Sequence, residues 1–393
     1  MTRTVRLFDQ NSHQYVFSAT VLTCTMTDTP DRFDVVLDAT AFFPEGGGQA
    51  ADPGTLGGHT VLDVQEVDGV IHHTLTGSLP VGHTVDGHIN PDTRQRRMQN
   101  HSGEHIISGL IHARYGYDNV GFHLGTSDVT LDFNGLLTRE QLDEIETEAN
   151  RIVAACLPVK AYYPSPEVLA TLTYRAKLDL TENVRIVEIG VDGACDRCAC
   201  CAPHVLNTGE IGLIKLLDFI HYKGGVRIHM QCGLDALEDY RRRYTAVAGI
   251  AAALSVKQDD VTEGFARLQA ELDEKKQTIA ALRRQIVELT VTALPATEGN
   301  LCLFVDDPDM NVLRHTLNAA VAKCSRLCGV FGGNDTDGYR FVIGRGDGTL
   351  DLKPMVKEIN AALNAKGGGS SEMLQGNAMA TRREIEEFFG EGK

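Results

Sequence analysis

Apolar and polar positions alternate through residues 1–89 in short runs separated by turn residues: VRLF, YVFSATVLTCTMT, FDVVLDATAFF, TVLDVQEV and VIHHTLTG. A period of two with frequent glycine between runs predicts strands folded into a small β-barrel or β-sandwich. Inside this region PEGGGQAADPGTL, from Pro44 to Leu56, is too rich in glycine for a strand and too particular for a linker.

The period changes at Asn90-Pro91, an N-cap followed by proline at the first helical position. This predicts a helix running to about Tyr115 and stopped by Gly116. VGFHLG and DVTLDFNG then read as a hairpin with Val129, Leu131 and Phe133 on one face. Thr138-Arg-Glu-Gln141 is a capping box for a second helix to about Ala155, with Leu142, Ile145 and Ile152 on its apolar stripe. Strands follow at VKAYY, VRIVEIG, IGLIKLLDFIHY and VRIHMQC, the last two joined by a Lys-Gly-Gly turn.

From Leu234 the pattern becomes helical. Val261, Phe265, Leu268, Leu272, Ile279, Leu282, Ile286 and Leu289 fall on alternating three- and four-residue steps, interrupted only by Lys275. This is a heptad seam, opened by the capping pair Asp260 and Glu263. An earlier helix carrying Tyr240, Tyr244, Val247 and Leu254 is placed to fold back on it. The favoured reading is therefore an intramolecular hairpin, because the seam is short; the competing one is a homodimer zipper, with the C-terminal domain as another dimer contact. After Pro295 the strands NLCLFVD, RLCGVFGG and GYRFVIGRG alternate with helices near 309–323 and 352–365. The loop KGGGSSEMLQGNAMA and a last helix near 381–389 close a small α/β domain. The expected fold is α+β in four parts: a β-barrel (1–89), an α+β core (90–233), a helical hairpin (234–292) and a C-terminal α/β domain (293–393).

A chain of 393 residues with 42% hydrophobic and 23% charged residues is ordinary for a soluble protein with several cores. The N-terminus lacks an apolar stretch of signal length and no run is long enough to span a bilayer, so a cytoplasmic protein with no membrane partner is expected. In a reducing compartment the scattered Cys24, Cys156, Cys302, Cys324 and Cys328 read as small buried hydrophobes. The cluster CDRCACC, Cys195 to Cys201, is not a core pattern and points to metal or catalysis. With 37 Lys and Arg against 53 Asp and Glu, the net charge of −16 disfavours non-specific nucleic-acid binding while leaving room for a local basic patch that reads one folded RNA.

His101 and His105, four apart on the predicted helix, leave the same face one turn apart. About a hundred residues later Cys200-Cys-Ala-Pro-His204 offers a thiolate and an imidazole at a turn. Three nitrogens and one sulfur suit Zn2+, whose borderline softness accepts both. Gly46-Gly47-Gly48, without side chains, can approach a ribose or phosphate closely. Glu104, beside the ligands, reads either as general base or as a carboxylate supporting them.

His101-Ser-Gly-Glu-His105 resembles the HxxxH motif of the editing domain of alanyl-tRNA synthetases, and Cys200 to His204 followed by VLNTGEIG resembles its CxxxH motif with a TGEIG tail. PEGGGQAADPGTL is similar to that family's glycine-rich barrel loop. KGGGSSEMLQGNA resembles the glycine-rich signature of its C-terminal domain, shared with DHH phosphoesterases. In this order the motifs cover nearly the whole chain, which is similar to free-standing alanyl-tRNA editing proteins of the long AlaX type, with no synthetase module expected before the barrel. The resemblance implies zinc-dependent hydrolysis of seryl- or glycyl-tRNA for alanine, with that tRNA as partner. It places Gln49 at the amino-acid pocket and Thr208 of the TGEIG tail at the substrate.

The chain departs from the family pattern in two places. The family often has Cys-Gly-Gly-Thr-His, so Cys201 competes with Cys200 as a ligand, and Cys195 and Cys198 raise a second site. The family commonly has small or neutral residues between the helix histidines, where this chain has Glu104. His101-x-x-Glu104-His105 also fits the inverzincin metallopeptidase motif, without that family's downstream glutamate. A zinc-stabilised RNA-binding or regulatory module is the non-enzymatic alternative.

Overall fold

The computed structural model describes residues 3–125, 129–176, 184–346 and 348–390, which form two compact units, 1–246 and 247–393. Asp128, which opens the DVTLDFNG stretch, lies outside the described residues. The architecture is mixed α+β with several sheets.

VRLF is a strand only over β1 (Val5–Arg6), and then turns into the short helix α1 (Leu7–Gln10). The turn drives Phe8 into the interior, where its ring meets Phe43 edge-on at 5.5 Å. Next come β2 (Val16–Met26), β3 (Phe33–Leu37), β4 (Ala39–Thr40), β5 (Gly54–Leu56), β6 (His59–Val67), β7 (Val70–Leu75) and β8 (Thr84–Ile89). β1 pairs with β4, and the ladders of the others run β2-β3-β7-β6-β5-β8 and close on themselves. Two of these strands escape the sequence pattern. β5 has three residues at the end of the glycine-rich stretch, and in β8 Asp86-Gly87 break the alternation.

The helix α2 (Pro91–Tyr115) has the expected ends: Asn90 Oδ1 accepts from the Thr93 N–H at 2.9 Å, and Gly116 takes the left-handed φ of 71° that stops it. It packs on α3 (Arg139–Ala154), whose Thr138–Gln141 capping box forms as expected, and on strands from two sheets. One sheet runs β14-β15-β10-β9 and contains β9 (Asn119–Leu124), β10 (Val129–Phe133), β14 (Ile214–Tyr222) and β15 (Gly225–Cys232). The other is β11 (Val159–Tyr162), β12 (Ile186–Ile189) and β13 (Asp196–Ala199), with α4 (Pro166–Leu169) between β11 and β12 in sequence. α2 is buried on nearly every side, yet its middle carries Asn100, His101, Ser102, Glu104, His105 and Ser108. Buried polar groups need partners, and an interior helix this polar is built for something other than packing.

α5 (Gly233–Leu254) crosses the division between the units. In the second unit, α6 (Val261–Thr292) buries Val287 and Val291 while its heptad seam is exposed, from Phe265 at 52% to Leu289 at 72%. The expected cap does not form, since Asp260 makes no side-chain hydrogen bond to the helix. A mixed sheet follows, in the order β16-β17-β18-β20-β19, from β16 (Leu301–Val305), β17 (Leu327–Asn334), β18 (Gly338–Arg345), β19 (Ala365–Gly369) and β20 (Met373–Ala378). The intervening helices are α7 (Met310–Ala320), α8 (Val356–Ala362) and α9 (Arg382–Gly390). The stretch KGGGSSEMLQGNAMA, expected as a loop, is the β19–β20 hairpin, because β20 pairs along β18 and carries β19 to the sheet edge.

Arg94, in the first turns of α2, is fully buried. Its guanidinium pairs with Asp52 through both Nε and Nη2 and donates to the carbonyls of Ser12 (2.9 Å) and Ala41 (2.7 Å). Asp52 also accepts from the Phe43 N–H at 2.8 Å. Arg94→Ala should cost roughly 3–5 kcal/mol in urea unfolding, because it leaves the buried Asp52 carboxylate with only the longer ion pair to Arg97, at 3.5 Å. Arg94→Lys should restore little, since an ammonium lacks the planar fork.

His73 is held as a neutral ring: Nδ1 donates to the Val35 carbonyl (3.0 Å) and Nε2 accepts from Thr40 Oγ1 (2.9 Å). Burial pushes its pKa from 6.5 down to about 4. The unfolded chain takes up a proton that the native ring refuses. The stability this site contributes is complete above about pH 6.5 and is lost as pH falls toward about 4, amounting to roughly 3 kcal/mol. Urea unfolding across that window should show the loss, and His73→Gln should make it shallower, leaving the part that comes from His204.

Candidate metal centre

His101 and His105 leave one face of α2, and Cys200 and His204 lie on the segment that follows β13. Their ligand atoms all lie within 4.8 Å of one another. Cys200 Sγ is 3.5 Å from His101 Nε2 and 3.3 Å from His204 Nε2. A tetrahedral zinc with bonds of 2.0–2.3 Å spaces its ligands about 3.3–3.8 Å apart, so donor type and spacing both fit that ion.

Each imidazole is held from behind. His101 Nδ1 is 3.0 Å from Gln49 Oε1, His105 Nδ1 is 3.0 Å from Asp196 Oδ2, and His204 Nδ1 is 3.0 Å from Ser102 Oγ. Partners at all three Nδ1 atoms select the tautomer that turns the Nε2 lone pair inward.

Two glycines make this geometry possible. Gly46 and Gln49 exchange backbone hydrogen bonds of 3.0 Å, closing a turn in which Gly48 has φ +84°. A Cβ on Gly48 would sit 2.6 Å from the Phe122 carbonyl oxygen. The turn therefore presses onto β9 and delivers Gln49 to the back of His101. On α2, a Cβ at Gly109 would lie 2.5 Å from the Cys195 carbonyl. Its absence lets β13 close on the helix and bring Asp196 to His105.

The electrostatics are those of a cation site. Burial raises the Cys200 thiol pKa, but His101 and His204 outweigh it and hold the group well below its ordinary value, as thiolate. His204 is pushed down to about 3, chiefly by burial. For His105 burial acts downward, yet Cys198, Glu104 and Asp196 together carry it well above 6.5.

Glu104 is buried beside these atoms. Its Oε1 accepts from Ser108 Oγ (2.7 Å) and Asn119 Nδ2 (2.6 Å), and its Oε2 lies 3.7 Å from His105 Nε2. A cavity of about 280 Å³ opens on the cluster, lined by Glu104, Gly47 and Phe122 and by the guanidinium-bearing Arg6, Arg175 and Arg185. Of the residues expected at the substrate, Gly47 reaches this wall; Gly46 and Gly48 do not line it, and Gln49 stands behind His101. Thr208 is elsewhere: fully buried, its hydroxyl donates to the Ile152 carbonyl (2.7 Å) and accepts from the Leu157 N–H (2.9 Å). Cys201 and Cys198 both line the cavity, Cys198 within reach of His105 and Asp196, and Cys195 is half-buried. All ten cysteines are free.

Sequence reasoning missed Asp196, Ser102, Ser108, Asn119 and Arg175. Ser108, four residues after Glu104 on the same face, carried a local signal; Asn119 and Arg175 carried none.

Residues 184–229 match the family model described as the threonyl and alanyl tRNA synthetase second additional domain. An alanyl-tRNA editing protein, AlaX-L of Pyrococcus horikoshii, is 28% identical over 373 residues, covering 90% of each chain. The alanine–tRNA ligase of Halobacterium salinarum is 32% identical over 408 residues, covering 98% of this chain and 43% of the ligase. The chain is a homologue of alanyl-tRNA editing proteins and of alanine–tRNA ligases. It spans about two fifths of the length of the ligases it matches (43% and 40%). Among solved structures, the C-Ala domain of Aquifex aeolicus alanyl-tRNA synthetase aligns with 23% of this chain and 86% of its own at 18% identity and a TM-score of 0.19, a likeness too weak to define a fold. Among the described residues no helix is long and apolar enough to cross a membrane.

Gly48→Ala should lower stability by more than about 1 kcal/mol, since its φ is positive and the new Cβ meets backbone. Gly46→Ala, with nothing closer than 3.9 Å, should be near neutral. Melting temperatures and metal content of the two variants check this, and equal behaviour would count against the turn as the seat of Gln49.

Proposed function

We propose that the chain hydrolyses the ester of mischarged aminoacyl-tRNA, seryl- or glycyl-tRNA for alanine, using one zinc ion held by His101, His105, Cys200 and His204. The observation that carries this is the convergence of three Nε2 atoms and one thiolate, each imidazole fixed at Nδ1, at a cavity that also holds a carboxylate. The names of the AlaX-L and ligase relatives supply the substrate class.

Zinc held there would supply Lewis acidity toward the ester carbonyl and a lowered pKa for water. The rest falls to the chain. Glu104, its Oε1 already occupied by Ser108 and Asn119, presents Oε2 toward the cluster and takes a proton from the attacking water. The water oxygen bonds to the aminoacyl carbon, the bond to the ribose oxygen breaks, and the proton passes to that oxygen. Arg6, Arg175 and Arg185 line the cavity wall, each paired with a carboxylate (Glu66, Asp196 and Asp9), so they offer guanidinium donors there and little net charge. Residues 247–393 serve tRNA affinity or, through the exposed α6 seam, a second copy of the chain.

The purified protein should carry about one zinc per chain and deacylate seryl- or glycyl-tRNA for alanine faster than the correctly charged alanyl form. Chelation should abolish turnover while the circular dichroism of the fold persists; unfolding on chelation would instead indicate a structural metal. Glu104→Gln should lower kcat by about 10²–10⁴-fold with zinc retained. A loss below tenfold would reduce Glu104 to a supporting carboxylate.

A further inference from the structure

The three imidazoles are backed by groups of different chemistry. His101 faces the neutral amide of Gln49 and His204 the neutral hydroxyl of Ser102. His105 faces the carboxylate of Asp196, which is 5% exposed. Both oxygens of that carboxylate are taken by one guanidinium: Arg175 Nε donates to Oδ1 at 2.7 Å and Nη2 to Oδ2 at 2.8 Å. Arg175 is itself held by backbone. Its N–H donates to the Arg197 carbonyl (2.8 Å) and its carbonyl accepts from the Ala199 N–H (2.9 Å), laying it alongside β13.

This arrangement does three things. A bidentate guanidinium fixes the plane of the carboxylate, so the oxygen offered to His105 points in one direction. A carboxylate accepting the Nδ1 proton pushes more electron density toward Nε2 than an amide or hydroxyl does, making that nitrogen the better donor. The guanidinium also compensates a charge that would otherwise be stranded in the interior.

We infer that Asp196, clamped by Arg175, is a positioning residue that makes His105 the dominant nitrogen donor of the cluster, so that retention of a divalent metal ion depends more on this pair than on Ser102 or Gln49. The inference rests on the metal reading proposed above.

The test uses the full chain with zinc or cobalt(II) as probe. Wild type, Asp196→Asn, Asp196→Ala, Arg175→Ala, Arg175→Lys and Ser102→Ala are compared by competition with a chelator, by the absorption spectrum of the cobalt form, and by the melting temperature of the metal-free form. Asp196→Ala and Arg175→Ala should weaken metal retention by about 10- to 100-fold. Asp196→Asn should fall between them and wild type, Arg175→Lys should recover part of the loss, and Ser102→Ala should cost less than any Asp196 variant. The cobalt ligand-field bands of the Asp196 variants should shift while the thiolate charge-transfer band from Cys200 remains. Metal retention within twofold of wild type, or a lower melting temperature with an unchanged cobalt spectrum, overturns the inference. If Asp196→Ala does not fold, the near-isosteric Asp196→Asn decides alone. A wild type that binds neither ion overturns the metal reading itself, whereas a wild type that binds with Asp196 variants that hold on equally well overturns only this inference.

Discussion

The buried guanidinium of Arg94 joins parts of the first unit that lie 42 to 82 residues away from it in sequence. One side chain reaches Asp52 at the end of the glycine-rich stretch, the carbonyl of Ala41 after β4 and the carbonyl of Ser12 before β2, all from the opening turns of α2. Two turns further along the same helix stand His101 and His105. The pair thus sets how the N-terminal strands and the ligand-bearing helix meet, and therefore where Gln49 lies when it reaches His101. An apolar contact could supply comparable stability. It could not supply direction, and a site whose donor atoms must agree to fractions of an ångström depends on direction.

The same logic recurs closer to the cluster. Every side chain that matters is oriented by a second one: Gln49, Asp196 and Ser102 behind the imidazoles, Ser108 and Asn119 behind Glu104, Arg175 behind Asp196. Because α2 is buried, these partners, the half-buried Arg175 apart, are shielded from solvent, and each unmade bond would strand a polar group in the interior. Rigidity here follows from these directed hydrogen bonds as well as from packing.

How much of this was legible in the sequence follows from sequence distance. Asn90, Pro91 and Gly116 announced α2 because capping is local, and the four-residue step from His101 to His105 implied a shared face. The Thr138–Gln141 box was equally plain. What stayed hidden depended on partners far along the chain. Asp196 lies among cysteines in sequence, and only the approach of β13 to Gly109 brings it to His105, while Arg175 has no neighbour in sequence to betray it. The KGGG stretch read as a loop because glycine carries no side-chain period; only its pairing with β20 makes it a strand. β8 was lost for a similar reason, its alternation interrupted by Asp86-Gly87.

The constellation around His105 draws on three stretches, near residues 49, 101–105 and 196–204, so no local segment can form it in advance. Closing loops of roughly fifty and roughly a hundred residues costs entropy that grows only logarithmically with length, about 0.6 kcal/mol for each doubling. Such separations raise contact order and slow folding far more than they lower stability. The cluster should therefore be among the last features to assemble on the way to the native state, after the barrel and both sheets of the first unit are in register. A nick between residues 105 and 196 in the unfolded chain would turn this closure from an intramolecular into a bimolecular step.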